Sequence, residues 1–459
     1  MVMAREDVSY NPAPSRRYRQ VHGKETMTAA GLVHSTATDP VPVSPPLKIG
    51  VLVDLDLTPE AGGHVKCWQR LAEAAVDCAE LLDLTVHFSG PEPRRIELSS
   101  NVRYVVLPPV FSSARLICRV PDHTDLAPWH PRLARMLTDY DLIHTTDAFF
   151  CYARTATRFG RRHGTPLVSS IHTNTPEYAR ITITKLLERA FGHGVAYRAA
   201  NDVLALPNLA SAMLERRLTR HLEQVTLALA SYAGAPDARY VGRDSGVSLR
   251  RGLDRELFNP ARRDRAWFED RFGLPSGQLI AMYAGKLNAG KNVPLLVPVI
   301  EAARRAGASV HLFCAGAGTE RAALETALGP ALTCAGPLDQ AELARAYASA
   351  DLFLFPSVID ESGNAAVEAM ASGLPALLAA GGGVATRMAD SEGMRVLPGN
   401  DPAAWADAIV ELAAAPQRLA SMGCAARAYV EAHVPCWHDV LLEDLLPVWR
   451  AAVTARAAA

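Results

Sequence analysis

The feature of this sequence that most constrains its fold is a repeated alternation of short apolar runs with helical stretches. Such runs are typical of strands buried on both faces of a parallel sheet. Each run is followed by a polar or helical stretch, which is the order of a βαβ unit. The first series of runs consists of Ile49–Val53, Val102–Leu107, Asp141–His144 and Pro166–Ile171.

A second series of the same kind lies further along the chain, with alanine-rich helical stretches between the runs. A single hydrophobic core stops growing at about 250–300 residues, so two domains are expected for 459 residues. The two series therefore predict an α/β protein with two doubly wound, Rossmann-like domains. The second series consists of Leu279–Ala284, Val310–Cys314, Leu352–Phe355 and Ala376–Leu378.

The predicted domain boundaries follow changes in composition along the chain. The polar N-terminal stretch lacks apolar periodicity and ends in a proline-rich run, which indicates disorder. Turn residues between 245 and 260 indicate a linker. Near the end, Pro447 should kink or stop the last helix, and the alanines after Arg450 should fray. The predicted parts are a disordered extension over 1–46, domains over 47–250 and 251–430, and a closing helix and tail over 431–459.

Composition argues against several classes of function. A formal net charge of -1 gives no general attraction to phosphate backbones, so nucleic acid is not an expected partner. The eight cysteines are scattered, without the paired spacing of a zinc or redox site, as in cytosolic proteins. No stretch approaches the ~20 apolar residues of a membrane span, and the first 30 residues lack the apolar core of a secretory signal. The chain is predicted to be cytoplasmic.

Glycine-containing turns follow the first strand of the first series and the second strand of the second series. Gly62 and Gly63 precede a helix, where the absence of side chains lets a phosphate approach the first-turn amides. Gly316 and Gly318 follow the run Val310–Cys314 in the same way but lack the third glycine of the dinucleotide motif. Turn geometry alone is an alternative explanation for both pairs.

Two lysines follow the first strand of the second series. Lys286 comes directly after Gly285, and Lys291 follows five residues later, at the carboxyl edge of the sheet where ligands bind in open α/β folds. Two cations at this edge suit a diphosphate, although a single loop lysine is usually only solvated.

The most informative segment joins the strand ending at Phe355 to a helix predicted to begin near Gly363–Asn364 and to run to Ala371. Asp360 then lies in the loop, where it can accept hydrogen bonds from sugar hydroxyls. Glu368 lies about one turn into the helix and can bind both hydroxyls of a ribose, while the first-turn amides hold phosphate oxygens. The alternative is two unrelated solvated acids, but Glu368 has mostly apolar neighbours.

This segment resembles family 4 of the retaining glycosyltransferases of GT-B fold, which carry an acid, seven residues, a glutamate and an Ala-Met-Ala-Ser-Gly-type run. The resemblance covers roughly residues 250–415. The amino half is similar more loosely, through Gly62-Gly63 and through His172–Tyr178, a run like that of lipid-directed and mannosyl-type members. Further matching motifs are Gly252-Leu-Asp254, Leu257-Phe-Asn-Pro260, Gly285-Lys-Leu287, Gly316-Ala-Gly318, Ala350-Asp351, Phe355-Pro-Ser357 and Gly381-Gly-Gly383.

The resemblance implies two Rossmann-like domains facing across a cleft, with the acceptor bound by the first and a nucleotide sugar by the second. It implies that Lys286 and Lys291 bind the donor diphosphate, Asp360 the sugar and Glu368 the ribose. His172 would lie near the sugar on the acceptor side; from the residues alone, it is either a cleft residue or a core histidine. The other implied donor-binding residues are Gly63, Gly285, Gly316, Glu361, Ser362, Gly363 and Asn364.

The sequence departs from the family pattern at three of these positions. Lys286 stands where arginine is common, which keeps the charge but loses the bidentate fork. Asp360 replaces the commoner glutamate, with Glu361 beside it as a possible substitute. Ser362 replaces a large apolar residue. These departures leave the identity of the sugar open.

The predicted activity is metal-independent hexosyl transfer with retention, from a UDP- or GDP-sugar to a hydroxyl of a lipid or glycan. The nucleotide sugar is a substrate, and no cofactor is predicted. The alternatives are a catalytically degenerate nucleotide-binding protein and a GT-B epimerase or sugar-phosphate synthase. The His172–Tyr178 run and the apolar, basic stretch Val110–Val120 favour a lipid acceptor. The stretch also suggests a peripheral contact with the inner face of a membrane, although an ordinary loop and strand explains it at least as well.

Overall fold

The structure is a computed structural model that describes residues 45–58, 61–112, 125–172, 175–192, 194–230, 248–358 and 363–457. Pro45–Ala459 form one compact unit. The predicted extension up to Ser44 lies outside the described residues, as do the predicted site residues Asp360, Glu361 and Ser362.

The first sheet has seven strands in the order β3-β4-β2-β1-β5-β6-β7. All neighbouring pairs are parallel except β3 with β4, which is antiparallel at the edge of the sheet. The strands are β1 (Leu47–Asp56), β2 (Leu82–Ser89), β3 (Arg94–Glu97), β4 (Val102–Leu107), β5 (Leu142–Thr145), β6 (Leu167–Ser170) and β7 (Leu227–Leu229).

The second sheet has six parallel strands in the order β10-β9-β8-β11-β12-β13. In both sheets the strand order reverses beside the first strand of the series, as in doubly wound folds, where ligands bind beyond the carboxyl ends. The strands are β8 (Leu279–Ala284), β9 (Val310–Ala315), β10 (Leu332–Gly336), β11 (Leu352–Phe355), β12 (Ala376–Ala379) and β13 (Met394–Leu397).

Helices connect the strands of both sheets. The α-helices that surround the first sheet in sequence are α1 (Gly63–Ala75), α2 (Pro131–Met136), α3 (Cys151–His163), α4 (Thr175–Phe191), α5 (Val195–Arg198) and α6 (Leu206–Leu222). Those that accompany and follow the second sheet are α7 (Arg265–Phe272), α8 (Leu296–Arg305), α9 (Arg321–Leu328), α10 (Gln340–Ser349), α11 (Asn364–Ala371), α12 (Gly383–Arg387), α13 (Pro402–Ala413), α14 (Pro416–His433), α15 (Trp437–Asp439) and α16 (Leu446–Ala457).

The predicted architecture and each strand of the two predicted series are confirmed. The strands that the apolar pattern did not predict are β2, β3, β7, β10 and β13. In β2, polar residues interrupt the apolar pattern. His87 is nevertheless buried, and a hydrogen bond of 2.8 Å between its Nε2 and the hydroxyl of Tyr140 offsets the cost of burying the ring. β3 is exposed along its length, and β10 is only partly buried. These strands therefore lack the continuous apolar run of a central strand.

The closing helix returns to the first sheet, where Val440, Leu441, Leu445 and Trp449 join the core around β1, β2 and α1. The helical run does not stop at Pro447 and does not fray after Arg450, so these two expectations are wrong, while a kink at Pro447 stays a prediction. A π-helical segment over Val440–Leu445 precedes α16, which begins at Leu446 and continues to Ala457. Burial of this helix against the sheet outweighs the loss of one backbone hydrogen bond at a proline.

Candidate active site

The N-termini of α1, from the first domain, and of α11, from the second, lie against each other. A Cβ atom added to Gly63 would lie 3.2 Å from Nδ2 of Asn364. The N-cap residues are Gly62 and Gly363, which have no side chain to cap the first-turn amides, and neither first turn contains an acidic residue. Two positive helix ends therefore face one place, an arrangement that favours an anion.

Gly363 is required by the turn that starts α11. Its φ is +58°, and a Cβ atom there would lie 2.3 Å from Cβ of Val384. Because both the dihedral angle and the space exclude a side chain, only glycine allows this entry into the helix. The helix runs over Asn364–Ala371, as predicted, with Glu368 one turn inside it.

Lys286 lies beside the same two helix ends. Its Cε and Nζ atoms lie 3.9 and 4.0 Å from the position that a Cβ atom on Gly62 would take. Lys291 ends a short 3-10 turn, in which its amide donates to Oδ1 of Asn288. From the first domain, Lys185 donates its ammonium to the carbonyl of Ala289 at 2.6 Å. The lysine loop is therefore held from both domains.

The glycines of the two neighbouring loops fit against each other. Gly285 and Gly316 have φ near +143° and +144°, and a Cβ atom on Gly316 would lie 2.0 Å from the carbonyl oxygen of Gly285. A Cβ atom on Gly318 would lie 2.1 Å from the carbonyl oxygen of Leu287. Close packing of the loops thus accounts for Gly316 and Gly318 structurally, and a contact between Gly316 and a donor stays a prediction.

Glu368 is half-buried on the face of α11 that is turned towards α1. Burial raises the pKa of its carboxyl group to about 7, although the charges of Lys66 and Arg70 and the hydroxyl of Tyr347 oppose the shift. The Tyr347 hydroxyl donates a long hydrogen bond of 3.5 Å to Oε2. The carboxyl group therefore changes charge near neutral pH and faces two cations of the other domain.

His172 lies at the carboxyl end of β6 and is buried. Its Nδ1 accepts a hydrogen bond from Nη2 of Arg251 at 2.9 Å, and its Nε2 lies 2.8 Å from Oγ of Ser170. Because a guanidinium only donates, the proton of the neutral ring must be on Nε2, which donates to Ser170. The 3.3 Å contact between Nε1 of Trp68 and the same Nε2 cannot be a hydrogen bond in this tautomer.

The ring of His172 is stacked on that of His64, with centroids 4.2 Å apart and planes at 11°. Burial, with the charge of Arg251, lowers the pKa of His64 to about 3. Burial, followed by His64 and Arg251, holds the pKa of His172 well below its usual value. Nε2 of His64 is buried and has no hydrogen-bond partner among the described residues. His64 directly follows Gly63, so this imidazole lies at the start of α1.

Comparison with known proteins finds glycosyltransferases. Residues 278–415 match the family described as Glycosyl transferases group 1. A D-inositol 3-phosphate glycosyltransferase 1 of Catenulispora acidiphila is 27% identical over 418 residues, which cover 86% of this chain and 92% of that one. A D-inositol 3-phosphate glycosyltransferase of Streptomyces scabiei is 27% identical over 323 residues, which cover 64% of each chain.

Solved structures show the same fold. A sucrose-phosphate synthase of Thermosynechococcus elongatus has a TM-score of 0.63 at 20% identity and covers 89% of this chain and 100% of its own. Anabaena Alr3699/HepE in complex with UDP and glucose has a TM-score of 0.61 at 16% identity. The match covers 90% of this chain and 100% of that one.

The chain is similar to the glycosyl transferases group 1 family over residues 278–415.

It is a glycosyltransferase of GT-B fold. The structure brings together four of the residues that the sequence singled out in this glycosyltransferase, namely Gly63, Lys286, Gly363 and Asn364. Glu368 lies further along the same helix. His172 instead lies beneath His64, with both ring nitrogens engaged.

Four residues that lie at or beside the site were not predicted from the sequence, namely His64, Lys66, Arg70 and Arg251. His64 and Lys66 directly follow the predicted glycine turn and could have been found from their places on α1, whose helical spacing puts Lys66 and Arg70 one turn apart. Arg251 lies between β7 and β8, 79 positions from His172, and no local pattern relates the two.

The glycosyltransferase also has a pair of buried carboxyl groups, those of Asp54 and Asp147, at the carboxyl ends of β1 and β5. Oδ2 of Asp54 accepts from the amide of Tyr152, and its Oδ1 is buried without a partner among the described residues. Asp147 accepts from the amides of Phe149 and Phe150. Burial raises the pKa of both carboxyl groups, and their mutual repulsion raises that of Asp54 further.

Two observations concern membranes and metals. In the described part of the glycosyltransferase, no helix combines the length and apolarity needed to cross a bilayer. Within the same ranges, His, Cys, Asp and Glu side chains form no cluster of three or more that could hold a metal ion.

Proposed function

We propose that the chain transfers a hexose, with retention of configuration and without a metal ion, from a UDP- or GDP-sugar to a hydroxyl group of a lipid or glycan. The observation that carries the proposal is the meeting of two helix N-termini, each with a glycine as its N-cap residue, with Lys286. The first domain, 47–250, would bind the acceptor, and the second, 251–430, the donor.

The donor diphosphate would bind between Gly63 and Asn364. The first-turn amides of α1 and α11 would donate to its oxygens, and Lys286 and Lys291 would neutralise its charge. These groups are fixed before the reaction, so they stabilise the charge that develops on the leaving diphosphate without reorganising. They supply the positive field that a magnesium ion supplies in other phosphate sites, which supports metal independence.

Glu368 would bind the two ribose hydroxyls as a carboxylate. Its position one turn into α11 supports this role, because the diphosphate would then lie at the start of the same helix. Asp360, or Glu361 beside it, would bind the sugar, with Ser362 nearby; all three lie outside the described residues.

The acceptor hydroxyl would attack from the face that the leaving diphosphate occupies, and a diphosphate oxygen would take its proton. His172 stays in the proposal as the acceptor-side histidine, and its stacking on His64 supports a positioning role. His64 has the unpartnered nitrogen and lies beside Gly63, which places a hydrogen-bonding group next to the proposed diphosphate. Cytoplasmic location and peripheral contact with the inner membrane face stay predictions.

A donor-hydrolysis screen with UDP-, GDP- and ADP-sugars tests the proposal. Slow hydrolysis of one donor is expected, and the acceptor panel should include D-inositol 3-phosphate because of the names of the curated relatives. Lys291→Ala and Glu368→Ala should each lower turnover at least tenfold. Lys48→Ala, at the exposed start of β1, is the matched control and should leave turnover unchanged.

Calorimetry separates this proposal from a degenerate nucleotide-binding protein. Nucleotide binding without hydrolysis or transfer of any donor would support the degenerate alternative. Unchanged turnover in both variants would contradict the assigned roles of Lys291 and Glu368.

A further inference from the structure

A helical hairpin of the first domain exposes an apolar tip. It consists of α4, α5, a π-helical segment over Ala199–Val203, and α6, with α4 packed on α6. Soluble proteins rarely leave a contiguous apolar surface of this kind without a partner. The exposed apolar side chains are those of Phe191, Val195, Val203, Leu204, Leu206, Leu209 and Met213, of which Val195 and Val203 are 84% and 80% exposed. We call these seven residues the apolar tip.

The apolar stripe of α6 continues into arginines on the same helix face. Leu206, Leu209 and Met213 are followed at helical spacing by Arg217 and Arg220. At 1.5 Å per residue, the apolar part of this stripe is about 10 Å long, and Arg217 lies about 6 Å beyond Met213.

The arginines of α6 line a groove of about 300 Å³ together with arginines of α3. Arg154, Arg158 and Arg161 recur at i, i+4 and i+7 on α3, so they share one face of that helix. In the part of the chain that the structure describes, none of the five groove arginines forms an ion pair with a carboxylate, although Arg154 and Arg158 each donate through Nη1 to backbone carbonyls and the charge of Arg154 opposes the raised pKa of Asp147. We call Arg154, Arg158, Arg161, Arg217 and Arg220 the arginine groove.

Resting on the peripheral membrane contact of the proposed function, we propose that the apolar tip and the arginine groove form a docking surface for an anionic lipid bilayer. The tip enters the interface between headgroups and acyl chains, where amphipathic elements penetrate about 5–10 Å. The headgroup layer on each side of a bilayer is about 5–7 Å thick, which matches the rise from Met213 to Arg217. The groove then lies at the level of the lipid phosphates, which arginine binds through paired hydrogen bonds.

The charge pattern favours a bilayer over a second copy of the chain. Exposed Arg198 and Asp202 lie between residues of the apolar tip in sequence and carry one charge of each sign, so the preference for anionic lipid comes from the arginine groove. A two-fold partner would bring the same apolar tip but also the same five arginines. An anionic membrane offers an apolar layer and negative charge together.

Vesicle flotation of the full chain tests this inference without any sugar transfer. Binding is expected to vesicles of phosphatidylglycerol and phosphatidylcholine, to weaken with added salt, and to be absent with phosphatidylcholine alone. Arg161→Gln with Arg217→Gln should weaken binding about 30-fold, the loss expected when two arginines no longer meet anionic lipid. Val203→Ser with Leu204→Ser should weaken it at least tenfold.

Matched controls come from the exposed surface elsewhere. Arg305→Gln with Arg395→Gln removes two charges from the second domain, and Ile96→Ser with Val396→Ser removes two exposed apolar side chains from strands. Both controls should bind like the wild type. Thermal melts check that all four variants remain folded.

Three outcomes would overturn the inference. One is equal binding to neutral and anionic vesicles by the wild type and the groove variant. Another is no binding to either kind of vesicle. The third is a doubled mass in light scattering that the tip variant abolishes, since this would identify a second copy as the occupant. A failed donor screen would leave all of these readouts unaffected.

Discussion

Arg251 donates a hydrogen bond to Nδ1 of His172 across 2.9 Å, which joins the segment between β7 and β8 to the histidine beneath the proposed site. Its Nη1 also donates to Sγ of Cys67 on α1. Arg251 therefore sets the tautomer of His172, the ring on which His64 is stacked.

Replacing Arg251 with methionine should change the protonation of His172. Removing the neighbouring charge raises the pKa of the ring, and Nδ1 loses its donor. The expected result is a His172 NMR titration at higher pH and a shifted pH profile of kcat with little change in donor KM. Arg251→Lys, which keeps the charge, should restore part of the profile. Identical titrations in wild type and Arg251→Met would rule out this positioning role.

The buried histidines should make the fold labile to acid. Burial lowers the pKa of His64, His87 and His144 to about 3, from 6.5. Between pH 3 and 6.5 the unfolded chain binds more protons than the folded chain. The free energy of unfolding therefore has its full value above pH 6.5 and falls as the pH drops towards 3. Denaturant titrations between pH 4 and 8 measure this slope. His87→Phe should reduce it, and a slope equal to the wild type would contradict the assignment.

Glu368 should act in the opposite direction. Its pKa is about 7 in the folded chain and near 4.5 when unfolded, so the folded state holds more protons between these values. Stability should therefore fall as the pH rises from 4.5 to 7. Glu368→Gln should remove this loss and be more stable than the wild type at pH 8 by on the order of 1 to 3 kcal/mol. Glu325→Gln, on the exposed face of α9, is the control.

Gly363→Ala should be strongly destabilising. Both the φ of +58° and the 2.3 Å approach of Val384 oppose a side chain. Gly273→Ala is a matched control, because its φ is +63° and nothing lies within 4 Å of the added Cβ. The control should cost about 1 kcal/mol of strain, and Gly363→Ala at least about 2 kcal/mol more, by denaturant unfolding. Equal costs would show that Val384 moves aside freely.

Local pattern was sufficient to predict much of this glycosyltransferase. Buried parallel strands need continuous apolar runs, and glycine turns before helices follow from the geometry of βα connections, so both sheets and the start of α11 were predictable. Strands whose polar residues find partners elsewhere, such as β2 with His87, were not. Helical structure continues past Pro447, after a π-helical segment, because contacts with the first sheet outweigh the local preference.

By itself, the sequence determined the class of fold, the glycine turns, the lysine loop and the place of Glu368 within its helix. Each depends on residues a few positions apart, and backbone geometry relates those residues directly. Only the tertiary structure decided that Gly63 meets Asn364, that His172 lies beneath His64, and that two helices combine their arginines in one groove. These groups are far apart along the chain, and packing of the whole chain, rather than any local pattern, brings them together.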